Sequence, residues 1–300
     1  MASDIGEAVK SHIFNPKLSD VPPAFSELLE KYSGVPKDAQ IEHITSTRNK
    51  AFKHHAYPCL GRFRFTGLEL SSFPKYSDVL KILKQPNDSG SDEKEPLFID
   101  LGCCVGQDIR KLILDGAPVT RVYGADLLPP FIDIGYEMFR DADRFPRDHF
   151  LAPANLLEDT PDDPLRRMDG RLTIVHISAV FHLFQLDNQT VTAKRIMRLL
   201  NRKAGKCLVL GADTANITSG FYTRTSGTVR YRHNLESWTQ LWKDVAKELP
   251  GCSVEVEMQL NKRDVTTRFN DIEVEQKRSQ AYMEEGFRWA VWSVWVTFTD

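Results

Sequence analysis

The chain has 300 residues, 41% of them hydrophobic, and a formal net charge of −2, which is enough to bury one large core with an added lobe. A near-neutral balance with no long basic run gives no electrostatic footprint for nucleic acid or a membrane surface, and no stretch approaches the ~20 apolar residues that cross a bilayer. Five cysteines, an odd number in a chain this long, do not read as a disulfide framework, so reduced thiols, a cytoplasmic setting and a small-molecule partner are expected.

The N-terminal "MASDIGEAVKSHIF" lacks a signal peptide's apolar centre. Pro22 and Pro23 precede "AFSELLEKY", and Pro36 precedes a stretch with Ile41, Ile44, Ala51 and Phe52, so two helices are predicted there. "YPCLGRFRF" breaks the pattern, and Pro74 opens a helix whose Tyr76, Val79, Leu80 and Leu83 share one face. Residues 1–84 therefore read as an N-terminal helical lobe, "QPNDSGSDEKEP" (85–96) as a polar linker, and 97–300 as the main domain.

Beyond the linker, strand-like and helix-like segments alternate, the signature of parallel βαβ units. "LFIDL", "RVYGADL", a short piece of "DHFLAPAN", "RLTIVHI" and "KCLVLG" are the predicted strands, with helices at 106–115, 129–140 and 187–200. Residues 212–234 read as a long loop, of the kind that is usually functional. Asn234 caps a helix bearing Trp238, Leu241, Trp242 and Val245; "SVEVEMQL" and "WAVWSVWVTF" then close the chain as adjacent strands. The five tryptophans read as core residues.

"LFIDLGCCVGQDIRKLILDGAP" (97–118) carries the first chemistry. Strand, glycine turn and helix succeed one another, with Asp100 just before Gly102 and Gly106 opening the helix, so backbone N–H groups can meet a ligand. Asp126 ends the next strand, where an acid can accept both hydroxyls of a ribose. The glycines miss the dinucleotide spacing G-x-G-x-x-G. An acid beside them repels a pyrophosphate and suits a cationic ammonium and sulfonium, which favours S-adenosylmethionine over NAD. Cys103 and Cys104 then fill small-residue positions of the loop. No second cysteine pair or Cys/His cluster stands at metal spacing, so no metal is expected.

The run Asp100-Leu101-Gly102-Cys103-Cys104-Val105-Gly106 resembles the first motif of the class I S-adenosylmethionine-dependent methyltransferases. A closer resemblance follows from "RNKAFKHHAYPCLGRFRF", "PKYSDVLKIL", "YGADLLPPFIDIGYEMFRD", "HISAVFHLFQLDNQ" and "YRHNLESWTQLW". Together they are similar to the fungal secondary-metabolite, meroterpenoid-type methyltransferases over nearly the whole chain. That resemblance implies a Rossmann-like α/β fold: a mostly parallel seven-stranded sheet with an antiparallel C-terminal strand, under an N-terminal helical lid. It implies a methionine end at Asp100, Gly102, Cys104 and Gly106, a ribose end at Asp126 and Leu127, and adenine contacts from Asn155 and Leu156, with Ser178 also facing the cofactor. Asn155 could equally cap a turn.

By the same resemblance the product is the methyl ester of a terpenoid-polyketide acid. Methylation of a polyketide hydroxyl, C-methylation, cofactor-assisted cyclisation and a non-catalytic cofactor-binding partner are the alternatives; a homodimer stays open. A carboxylate acceptor needs no base, whereas a hydroxyl needs one. His182, just past the fourth strand, is the candidate base or acceptor contact, with a structural histidine as the alternative; His176 reads as core. Arg48, Lys53, His54, His55, Arg62 and Arg64 offer lobe cations to an acidic acceptor.

Overall fold

The computed structural model describes residues 13–86, 95–223, 227–262 and 284–299, which leaves most of the expected linker, at 87–94, outside the described residues. Among the described residues, the N-terminal lobe includes the helices α1 (Pro23–Lys31), α2 (Gln40–His54), the short α3 (Pro58–Gly61) and α4 (Tyr76–Leu83). The sheet begins with β1 (Phe98–Leu101), α5 (Gln107–Leu114), β2 (Val122–Ala125), α6 (Pro129–Phe139), β3 (Phe150–Leu151), β4 (Ile174–Ile177) and α7 (Leu186–Leu199). It finishes with β5 (Lys206–Asn216), the hairpin β6 (Gly220–Thr223) and β7 (Val229–Arg232), α8 (Leu235–Lys247), β8 (Cys252–Asn261) and β9 (Phe287–Phe298). No helix among the described residues is long and apolar enough to cross a membrane.

Seven strands form one sheet in the order β3-β2-β1-β4-β5-β9-β8. The first five pair in parallel, and β9 runs antiparallel to both neighbours, as the resemblance implies. All four residues of β1 and of β4 are buried, as strands covered on both faces must be. The chain winds outward from β1 through β2 to β3, then returns to β4 and β5. That reversal opens a crevice at the C-terminal ends of β1 and β4.

Local chemistry sets the helices around this sheet. Pro129 and Pro130 start α6, where a missing N–H costs nothing. Asn234 and Ser237 form a reciprocal capping box on α8, whose Trp238, Leu241, Trp242 and Val245 are buried. Trp289 and Trp292 are buried as expected, whereas Trp295 is only partly buried beneath Lys206.

Two expectations need correction. Strand β5 does not stop at Gly211; it runs to Asn216 because β9 pairs with it residue by residue, from Lys206↔Thr297 to Asn216↔Phe287. The remainder of the expected 212–234 loop contains the β6–β7 hairpin. Polar residues hid both, since their strand character comes from the partner strand rather than from alternation.

The N-terminal helices pack directly on the sheet domain. Phe25, Leu28, Leu29, Ile44 and Ala51 share a core cluster with Phe131, Ile134, Met138 and Phe139 of α6 and with Val105 of the glycine turn. Beneath that cluster lies a buried ion pair, Arg110 Nε to Asp141 Oδ2 at 2.9 Å, with side chains 1% and 0% exposed. Tyr32 of the lobe donates its hydroxyl to the same carboxylate at 2.9 Å. Removing one partner of such a pair strands the other charge away from water. Asp141→Ala should therefore lose about 3–5 kcal/mol of stability, whereas Tyr32→Phe should lose about 1–2 kcal/mol; urea unfolding followed by tryptophan fluorescence measures both.

Candidate active site

The glycine turn is built from left-handed residues: Gly102 (φ 77°), Cys104 (φ 52°) and Gly106 (φ 71°). Gly102 and Cys103 both donate their N–H to Ala125 O, at 2.8 and 3.0 Å, which ties the turn to the end of β2. A Cβ on Gly102 would lie 2.7 Å from Val180 Cγ2, so that position has no room for a side chain. The turn leads into α5, whose first N–H groups lack intrahelical partners and are suited to a polar ligand. Both thiols are free; burial pushes them well above the usual range, so they serve as small uncharged residues. Among the described residues no group of three or more His, Cys, Asp or Glu could hold a metal.

Asp126 sits at the end of β2, 8% exposed. Its Oδ2 accepts the Cys104 N–H and its Oδ1 the Leu128 N–H, each at 2.9 Å. Two backbone donors thus aim the carboxylate and leave lone pairs for two further hydroxyls. Burial pushes its pKa up to about 6. Ala154 donates its N–H to Asp126 O at 2.9 Å, which sets the Asn155–Leu156 segment beside it. Asn155 caps a turn by accepting the Leu157 N–H at 3.1 Å, Leu156 is partly buried against the core, and Leu127 is half exposed. From the lobe, Tyr57 and Cys59 join the cluster that holds Cys104 and Leu128. Burial, then the charge of Asp126, raises Tyr57 to about 12.

At the other end of the crevice, Asp100 is 3% exposed and its Oδ1 lies 2.7 Å from His176 Nδ1. His176 Nε2 meets Ser178 Oγ at 2.9 Å, and Ser178 Oγ accepts the Ala212 N–H at 3.0 Å. Burial opposes a charge on His176, but Asp100, Asp108 and Glu69 together raise its pKa. His176 is thus not a plain core residue but the partner of Asp100. Asp108 accepts the Leu70 N–H at 3.0 Å, and burial raises it to about 7. Glu69, absent from the sequence expectations, accepts the Trp289 indole N–H at 3.1 Å, and Arg64 lies 5.0 Å over the same indole.

His182 occupies a single turn of 3-10 helix, Phe181–Leu183, between β4 and α7. Its Nδ1 is in short contact with Asp213 Oδ1, which also accepts the His182 backbone N–H at 3.2 Å. Asp213 was hidden in the expected loop; it is 6% exposed in the extended part of β5. A carboxylate on Nδ1 fixes the ring and leaves Nε2 to meet an acceptor. Arg48, expected among the acceptor-facing cations, is 1% exposed and donates to Asn15 O and Gly61 O at 2.6 and 3.0 Å. It holds the lobe together.

The donor set fits a nucleoside with a cationic amino-acid tail: an aimed acid at the ribose end, a side-chain-free turn between, and carboxylates at the far end. A family model described as the meroterpenoid methyltransferase N-terminal domain matches residues 8–66. The O-methyltransferase phiE of Fungal sp. (strain ATCC 74256) is 39% identical over 74% of this chain and 70% of its own. The asnovolin E/chermesin D methyltransferase nvfJ of Aspergillus novofumigatus is 38% identical over 76% and 78%. The O-methyltransferase atr3 of Stereocaulon alpinum is 33% identical over 81% and 67%.

The geometry sets three expected outcomes for S-adenosylhomocysteine binding, read by calorimetry. Gly102→Val should abolish it, whereas Cys104→Ala should keep most of it. Asp126→Ala should weaken it roughly tenfold or more, because two buried hydroxyls lose their acceptor. In the parent protein, affinity should fall as the pH drops through about 6, where Asp126 takes up a proton and can no longer accept from both hydroxyls. Asp126→Ala should flatten that step.

Proposed function

Because the chain belongs to the fungal meroterpenoid methyltransferase family, we propose that it methylates the carboxylate of a terpenoid-polyketide acid to give a methyl ester. The chain is an S-adenosylmethionine-dependent methyltransferase of secondary metabolism. Bound S-adenosylmethionine supplies a sulfonium methyl that an oxygen nucleophile attacks in line, with S-adenosylhomocysteine as the leaving group. The protein's part is to hold the two together and keep water out, and such positioning is worth several kcal/mol.

In this reading Asp126 holds the ribose, the Gly102–Gly106 turn faces the methionine portion, Asn155 and Leu156 flank the base, and the lobe closes over the cofactor through Tyr57 and Cys59. Residues 1–84 act as the lid. One carboxylate oxygen of the acceptor attacks the methyl while the other takes a hydrogen bond from His182 Nε2–H, which this reading requires in addition to the Nδ1–H on Asp213. What supports the reading is the His182–Asp213 pair just past β4, since ligands of such sheets bind outside the carboxyl ends of the strands.

The same pair favours a second reading. With its Nδ1–H on Asp213 and no proton on Nε2, the ring would offer the lone pair that a general base needs to deprotonate a hydroxyl. Single-turnover methyl transfer against pH, on the parent and on His182→Ala, separates the two. An ester former should give a product that alkali hydrolyses, and His182→Ala should lower the rate without a base-dependent limb. A base-stable ether, with a defect of roughly 10²-fold or more that recovers as pH rises, would instead make His182 the general base.

A further inference from the structure

The sequence assigns the negative charge at the methionine end to Asp100, but the fold closes that carboxylate off. It is buried, 2.7 Å from a histidine that its neighbours push toward the charged form. At 3% exposed, Asp100 shows almost no surface to a ligand. Asp108 is equally enclosed, with Leu70 N–H on Oδ1 and the Gln107 amide on Oδ2, both at 3.0 Å. Neither acid can turn toward a ligand without losing buried partners.

Glu69 differs. It is half-buried, keeping open surface although protein surrounds most of it. Its Oε1 is oriented by the Trp289 indole, which donates to it at 3.1 Å. A carboxylate accepts about four hydrogen bonds, so capacity remains. Arg64, on the same indole, sets a guanidinium beside it. A carboxylate and a guanidinium held side by side match the two ends of an amino-acid zwitterion.

We propose that Glu69, carried by the N-terminal lobe and held by Trp289, is the carboxylate that binds the α-ammonium of S-adenosylmethionine. This rests on reading Asp126 as the ribose acid and the glycine turn beside it as part of the cofactor site. It makes the lobe part of the cofactor site as well as its cover, since the ammonium ties lobe and sheet together.

Calorimetry with two probes tests it: S-adenosylhomocysteine, and 5′-deoxy-5′-methylthioadenosine, which has the nucleoside and sulfur but no amino acid. Glu69→Gln should weaken the first about tenfold or more and leave the second within about twofold of the parent. Trp289→Phe, which keeps the ring and removes the indole donor, should show the same selectivity to a smaller degree. Retained methylthioadenosine binding certifies a folded site. Unchanged affinity for both probes in Glu69→Gln, or equal loss of both, would overturn the proposal. So would a selective loss of S-adenosylhomocysteine in Asp100→Asn with none in Glu69→Gln, which returns the role to Asp100. Asp126→Ala should weaken both probes alike; if it weakens neither, the nucleoside reading fails, whatever Glu69 does.

Discussion

The Arg110–Asp141 pair fixes the part of the molecule on which the rest depends. Arg110 stands on the first turns of α5, and besides Asp141 its guanidinium reaches Val105 O and Gly106 O at 3.3 and 3.4 Å. Rings of Tyr136, Phe139, Phe145 and Phe150 surround it at 4.9–5.4 Å. The pair therefore anchors the carbonyls of the glycine turn on its inner side. A desolvated ion pair is stable only with good geometry and every charge answered, and here the Tyr32 hydroxyl and the aromatic faces do the answering. One contact thus joins turn, helix and lobe.

Burial then tunes the crevice. Asp126, Asp108 and Glu69 are all pushed toward protonation by their surroundings, a state of tension that a cation and hydrogen-bonding hydroxyls relieve. A cationic ligand is thereby favoured over a neutral or anionic one at the same site, which is the physical form of preferring a sulfonium cofactor to its thioether product. Meanwhile His176 faces Asp100, so the crevice does not gather four uncompensated negative charges.

Legibility in the sequence followed the range of the interactions. Strand, turn and helix from Phe98 to Leu114, the acid at Asp126 and the capping box at Asn234 are written within a few residues, and all could be read. Asp213 and Glu69 could not. The first acquires its place only when β9 extends β5, and the second only when Trp289, far along the chain, meets the lobe. Arg48 shows the reverse failure: a cation that looks like a surface charge in sequence is held inside between Phe14 and Phe63. In each case the deciding partner is distant and carries no local pattern.

The long β5–β9 ladder has one further consequence. Asp213 pairs with Ala290 and Thr214 with Trp289, so the acceptor-side acid and the residue that steadies Glu69 are neighbours on adjoining strands, about 5 Å apart in the backbone. The hairpin β6–β7 enters only after that ladder ends, at Gly220. Insertions or replacements there leave every ladder register intact. During divergence the hairpin can therefore change while the ladder keeps the spacing between Asp213 and Trp289.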